Sequence, residues 1–342
     1  MTTYKGIKGL GIQSITSDAI ADQMSGGTWA SGNALNTGRS AIAGGTGIQA
    51  AGLVCGGSPP TTGKTEEYDG SSWTESGDLG TARYYNCTVG SQTAALTSGG
   101  YPETANTETY NGSSWTETGN LGTARYGMGG AGSTTAAIMA GGDTPSRALA
   151  ETFDGSSWTE VGDLNNARTY MGYAGQGTQT AALVFGGGPG GDANVESWDG
   201  SSWTELSNLN TAMQAGAGAG TQTAALYFGG SNPGQSAVAG TESWDGSSWT
   251  EVNDMGTARG DLAGFGLSTA AVSAGGSPSR TTTEEWTAPA VFRQFNIGDI
   301  YYNADPSSGV MKYVGYAAGT WASGGTSNSK RREQGCFGTQ TA

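Results

Sequence analysis

A glutamate stands two residues ahead of an aromatic six times along the chain, at Glu66, Glu108, Glu151, Glu196, Glu242 and Glu284. An arginine recurs in a second fixed place, at Arg39, Arg83, Arg125, Arg168 and Arg259, and Met213 takes that place in the fifth unit. Two chemistries fit such a set. Gathered at a channel mouth, carboxylates and guanidinium groups would bind a sugar or an anion. Paired between neighbouring strands, they would form one internal salt bridge copied from unit to unit. The pairing is the preferred reading, because a binding site has little use for six copies of one carboxylate. Histidine is absent from all 342 residues. That removes His-based triads, His metal ligands and His pH switches together. Cys55, Cys87 and Cys336 have no paired spacing, so no disulfide framework is expected. Cys55 and Cys87 read as small buried residues of strands. Acidic residues are many, but none are singled out as the carboxylate pair of a glycosidase. No cofactor and no metal are expected, and the chain reads as a non-enzyme.

The elements that hold these residues follow from a repeat. Tryptophans Trp29, Trp73, Trp115, Trp158, Trp203 and Trp249 are spaced by 44, 42, 43, 45 and 46 residues. After each comes a loop such as TESGDLGTAR (74–83), then a strand such as YYNCTVG that the recurring arginine opens. A second strand ends in a glycine pair, as in TAALTSGG (93–100). A loop of variable length follows, then TETYNG (107–112) and SSWTE. The glycine pair occurs six times, from Gly56-Gly57 to Gly275-Gly276. Asp-Gly or Asn-Gly ahead of the Trp strand predicts a hairpin with a two-residue type I′ turn, since both central positions there need positive φ. Each unit thus has four strands and no stretch with helical periodicity. Glycine supplies 62 residues, more than twice its average share of about 7%, as tight turns between short strands require.

The glycine pair, the aromatic at Tyr68, Tyr110, Phe153, Trp198, Trp244 and Trp286, and the Trp that follows resemble the kelch repeat. The resemblance covers Trp29 to Trp286 and implies an all-β, six-bladed kelch-like β-propeller. The last unit, TTTEEWTAPA (281–290), has no Trp strand after it. A ring of sheets leaves no open edge only when its ends join, so the N-terminal strand around Trp29 is expected beside Trp286, closing the last blade. The division expected is an N-terminal attachment arm over 1–25, the propeller over 26–288, and a connector with a β-hairpin over 289–318, its turn at Asp305 to Gly309. GTWASGG (319–325) repeats the opening phrase, and GTQTA (338–342) matches a blade turn. Residues 319–342 therefore read as the start of a further propeller repeat in a truncated chain.

Binding is expected where the units differ. The loops between second and third strands vary in length and content, and positions free to vary are free to carry recognition. Lys64, Tyr101, Glu103, Arg147, Asp192, Asn232 and Arg280 are the candidates on that face. A net charge of −14 argues against nucleic acid. No run of 18 apolar residues is present for membrane insertion, and the N-terminus lacks the apolar core of a signal peptide. SWDGSSW (197–203) is similar to the sialidase S-x-D-x-G-x-x-W turn but one residue short. Sialidases also need an arginine cluster, and the arginines here occupy equivalent places in separate units. The wording NGSSWTE, LGTAR and GTQTAAL, the opening YKGIKGLGIQS and the GDIYYN segment resemble structural proteins of tailed, especially marine, bacteriophages. That resemblance implies a fibre, spike or decoration protein of the virion, made in the host cytoplasm. It would join other virion proteins through its N-terminal arm, form a homo-oligomer, and recognise a host-surface glycan or protein. The alternatives are an intracellular kelch-type interaction scaffold and a secreted carbohydrate-active enzyme.

Overall fold

The computed structural model describes residues 13–15, 26–42, 44–143, 148–188, 190–278, 280–289, 300–303 and 311–313. Among them every regular element is a β-strand. Contacts divide the chain into two units, Gly26–Ala288 and the joined segments Met1–Ser25 and Pro289–Ala342.

The first unit is a six-bladed β-propeller of four-stranded antiparallel sheets. Blade 1 runs Gly45–Ile48, Ala51–Cys55, Thr65–Tyr68 and Trp73–Glu75. Blades 2 to 5 repeat that order and begin at Cys87, Gly129, Gly172 and Ala217. Blade 6 takes three strands from the end of the repeat, Ala263–Leu267, Ala270–Ala274 and Thr283–Thr287, and its outer strand, Thr28–Gly32, from the start. Trp29 lies opposite Trp286 in register, with ring centroids 5.5 Å apart. Tyr68 and Trp73 pair in the same way in blade 1. The N-terminal strand therefore closes the ring.

First strands touch the first strands of the blades on either side, all the way round. Their Gly and Ala content follows from that approach. A Cβ on Gly218 would stand 2.3 Å from the carbonyl oxygen of Tyr173 in the neighbouring blade. Second strands are packed on both faces between blades, which is why they read as unbroken apolar runs such as Ala182–Phe185. Cys55 and Cys87 are fully buried in strands, as expected of small apolar residues. The glycine pairs leave the second strand through positive φ, 63° at Gly99 and 122° at Gly100, where L-residues pay a steric cost.

Two local expectations need correction. The Asp-Gly hairpins do not use a two-residue type I′ turn. Four residues, Asp69 to Ser72, connect Tyr68 to Trp73, and only Gly70 among them has positive φ. The Asp69 carboxylate instead accepts the amide N–H groups of Ser71 (2.8 Å) and Ser72 (2.7 Å). The side chain thus organises the turn that the backbone alone was expected to make. The recurring arginine also does not open the first strand. Arg83 precedes Cys87–Ser91 by a short loop, because its side chain is held by a glutamate of the third strand.

In the second unit, Gln13–Ile15 pairs in parallel with Ile300–Asn303, which pairs antiparallel with Met311–Tyr313. The expected hairpin is present, and a strand from the expected N-terminal arm extends it. Its predicted turn at 305–309, the rest of the arm, Cys336 and the repeat wording over 319–342 lie outside the described residues.

Candidate functional site

The arginines and glutamates come together in pairs within five of the six blades. The N–O distances are 3.1 Å for Arg39–Glu66, 2.9 Å for Arg83–Glu108, 2.8 Å for Arg125–Glu151, 2.8 Å for Arg168–Glu196 and 3.0 Å for Arg259–Glu284. All ten residues are buried, so they do not form a ring open to ligand. Burial pulls Arg39, Arg83, Arg168 and Arg259 below the usual guanidinium range, and the paired carboxylates oppose it. Each glutamate also caps the loop entering its blade: Glu66 accepts from the amide of Asn36 (2.7 Å), Glu108 from Gly80 (2.8 Å), Glu151 from Gly122 (2.7 Å) and Glu284 from Gly256 (2.6 Å). Where Met213 replaces arginine, Glu242 is held by the amides of Asn210 (2.8 Å) and Thr211 (2.9 Å) and the Asn210 side chain (3.0 Å). Burial raises its carboxyl above the ordinary range.

Two residues beyond the arginine position, every blade carries a residue in the left-handed region. These are Ala41, Tyr85, Gly127, Tyr170, Ala215 and Asp261, with φ between 53° and 68°. Their amides and carbonyls bond from blade to blade. Tyr85 N–H donates to Ala41 (2.9 Å), Gly127 to Tyr85, Tyr170 to Gly127, Ala215 to Tyr170 and Asp261 to Ala215 (all 2.8 Å). Ile42 closes the circle by donating to Asp261 at 3.4 Å. This backbone ring overdetermines a conformation that costs a non-glycine residue roughly 1–2 kcal/mol, and it borders the face that bears the variable loops.

Side chains around the ring differ from blade to blade. Tyr84, Tyr85, Tyr101, Tyr126 and Tyr170 form one continuous aromatic cluster, with centroid separations from 4.8 Å (Tyr85–Tyr170) to 6.4 Å (Tyr85–Tyr126). Tyr126 and Tyr170 donate to the Asp143 carboxylate (3.0 and 3.4 Å), and Tyr85 donates to Asp261 (2.8 Å). A small open pocket lies against this cluster, lined by Tyr85, Tyr170, Asp261, Met128, Met171 and Leu262 among others. Burial first, then Asp261, pushes the Tyr85 hydroxyl well above the ordinary phenol range, and burial does the same for Tyr170. Both are therefore neutral donors at ordinary pH. Burial raises Asp261, and the Tyr85 hydroxyl partly offsets this.

Of the loop residues chosen from sequence, Tyr101 joins the cluster and is 42% exposed. Lys64 pairs with Glu75 at 3.0 Å. Asn232 accepts from the amide of Ser236 at 3.1 Å and shapes its own loop. Glu103 and Arg280 are exposed, Asp192 is half-buried, and Arg147 lies outside the described residues. The structure does not gather these residues into one site. Tyr84, Tyr85, Tyr126, Tyr170, Asp143 and Asp261 were missed. The available signal was the dipeptide after the arginine position, which reads Ser-Ala, Tyr-Tyr, Tyr-Gly, Thr-Tyr, Gln-Ala and Gly-Asp in successive units. It varies within an otherwise uniform stretch.

The geometry defines a six-bladed propeller whose repeated residues build the scaffold and whose dissimilar residues meet on one face. That architecture fits a recognition or protein-interaction role. No protein-family model matches the chain, and no curated protein matches it.

Proposed function

We propose that the chain is a non-enzymatic appendage of a tailed-bacteriophage virion, a fibre, spike or decoration protein. Its kelch-like propeller recognises a host-surface glycan or protein, or mediates particle assembly. The observation that carries this reading is the segregation of sameness and difference. Arginine, glutamate, glycine pairs and tryptophan repeat from blade to blade and are consumed by the scaffold. The tyrosine cluster occurs once, over blades 2 to 4, on the variable-loop face. Tyrosine supplies large contact area at low conformational cost together with a hydroxyl, which suits it to recognition surfaces. The buried pairing of the five arginines counts against a sialidase-type arginine cluster and so against the enzymatic alternative. Residues 1–25 attach the propeller to other virion proteins, in a homo-oligomer. Mass spectrometry of purified particles from a host carrying the gene tests this, and the chain is expected as a stoichiometric component. Recovery solely in soluble host complexes would replace it with the intracellular scaffold reading, and turnover of a glycan by the purified protein would replace it with the enzymatic one.

A further inference from the structure

Asp261 is not held as the six recurring glutamates are. Like Glu67 and Glu285 it is half-buried and accepts from a tyrosine hydroxyl, but it lines a pocket. Five recurring glutamates are each matched by an arginine, and Glu242, without one, is bonded by three N–H groups. The Asp261 carboxylate is drawn into the surface, yet one hydroxyl, that of Tyr85, bonds it. Among the described residues no lysine or arginine forms an ion pair with it. Asp261 is half-buried, so it bears part of the cost of desolvating a carboxylate without a matching charge, and an external cation would offset that part.

The surroundings select the kind of cation. Around Asp261 stand the rings of Tyr85 and Tyr170 and the side chains of Met128, Met171 and Leu262. A hard metal ion takes several oxygen ligands, and this wall offers few. Aromatic rings beside a carboxylate favour an organic ammonium, attracted by the ring quadrupole as well as by the charge. The pocket is small and open, and two of its lining rings adjoin the rest of the cluster: Tyr85 contacts Tyr84 and Tyr126, and Tyr170 contacts Tyr126. A lysine side chain carries its ammonium at the end of a four-carbon stem and calls for a deep slot. An amino sugar carries it on the ring itself, next to an apolar C–H face that can lie on tyrosine.

We propose that the pocket formed by Asp261, Tyr85 and Tyr170 binds the ammonium group of an amino sugar, with the pyranose lying on the adjoining tyrosines. This rests on the recognition reading above and names its ligand class. The test is titration of the full chain with glucosamine, N-acetylglucosamine, glucose and lysine amide, followed by calorimetry and ligand-observed NMR. Glucosamine is expected to bind at least about tenfold more tightly than N-acetylglucosamine or glucose, as a charge-assisted contact implies. Asp261→Asn is expected to erase that preference, since asparagine tolerates positive φ and keeps the side-chain shape while losing the charge. Equal binding of the three sugars would overturn the ammonium assignment while leaving glycan recognition in place. Stronger binding of lysine amide would move the site to a protein ligand and overturn the sugar. Binding of none of the four would overturn the site. The wild-type comparison needs no variant to fold.

Discussion

Single buried side chains show how far the repeat has been perfected. The outer-strand tryptophan of a blade donates its indole N–H to a threonine hydroxyl at the start of the third strand of the preceding blade. Trp73 bonds Thr283 (3.0 Å), Trp115 bonds Thr65 (2.9 Å), Trp158 bonds Thr107 (3.1 Å) and Trp29 bonds Thr241 (3.1 Å). The corresponding residues ahead of Trp203 and Trp249 are Ala150 and Val195, and those two indole nitrogens are buried without an acceptor. An unmet buried donor costs roughly 1–3 kcal/mol. Val195→Thr changes shape little and supplies the missing acceptor for Trp249, so it should stabilise the propeller by about 1 kcal/mol. The mirror change, Thr65→Val, should cost about 1–3 kcal/mol by orphaning Trp115. Denaturant midpoints of the two variants check the pair, and a Val195→Thr variant no more stable than the parent would refute the bond proposed for it.

Hairpins and loops carry the pH response. Asp69, Asp154, Asp199 and Asp245 occupy the same turn in four blades. The amide of the serine three residues on, with help from the intervening serine, lowers each carboxyl to about 2 from an ordinary 3.8. A carboxylate lowered on folding contributes stability that is fully present above its unfolded pKa and disappears as pH falls through its folded one. The turns should therefore weaken between about pH 4 and pH 2. Blade 2 already uses Asn111 in this place, accepting from Ser113 and Ser114 at 3.0 Å. Converting the four aspartates to asparagine should leave the fold intact at pH 7 and flatten the acid limb of a urea-midpoint profile. An unchanged acid limb would assign acid sensitivity elsewhere. The turn also shows where sequence reasoning stopped short. Asp-Gly marked the hairpin correctly, because glycine is needed at the one positive φ. It did not reveal whether the backbone or the aspartate side chain organises the four-residue connection. Strand order and blade boundaries were legible for a different reason: each element recurs with the same residue types, so six copies reinforce one weak local signal. The tyrosine cluster appears once, and no copy reinforced it. The left-handed conformation of Tyr85, Tyr170 and Asp261 is imposed by bonds between blades, which local preference cannot report.

The molecule as a ring depends on one noncovalent seam. Blade 6 holds its outer strand without a hairpin connection to its third, by pairing from Thr28 against Thr287 to Gly32 against Thr283. The seam is sealed by Trp29, which lies 5.0 Å from Phe228 and 5.5 Å from Trp286. Trp29→Ala should cost about 3–5 kcal/mol. It should also free the edge of Thr283–Thr287 to pair with other chains, seen as a lower melting temperature with concentration-dependent association. The closing geometry permits a stricter test. Every other blade joins its third-strand aromatic to its tryptophan through four residues, and Trp286 faces Trp29 in the same register. A circular permutant of the propeller should therefore fold with Trp286 joined to Trp29 through Asp-Gly-Ser-Ser and new ends opened just after Gly32. It trades one exposed connection for another of the common type, and closure entropy changes slowly with loop length. Its stability is thus expected to stay within about 1 kcal/mol of the parent propeller, while its Trp29→Ala loss should persist, because packing and not connectivity supplies it. A permutant that fails to fold would show that the seam needs freedom the continuous blades lack. One that folds and no longer associates on weakening of Trp29 would show that the covalent turn had replaced the seam as the guard of that edge.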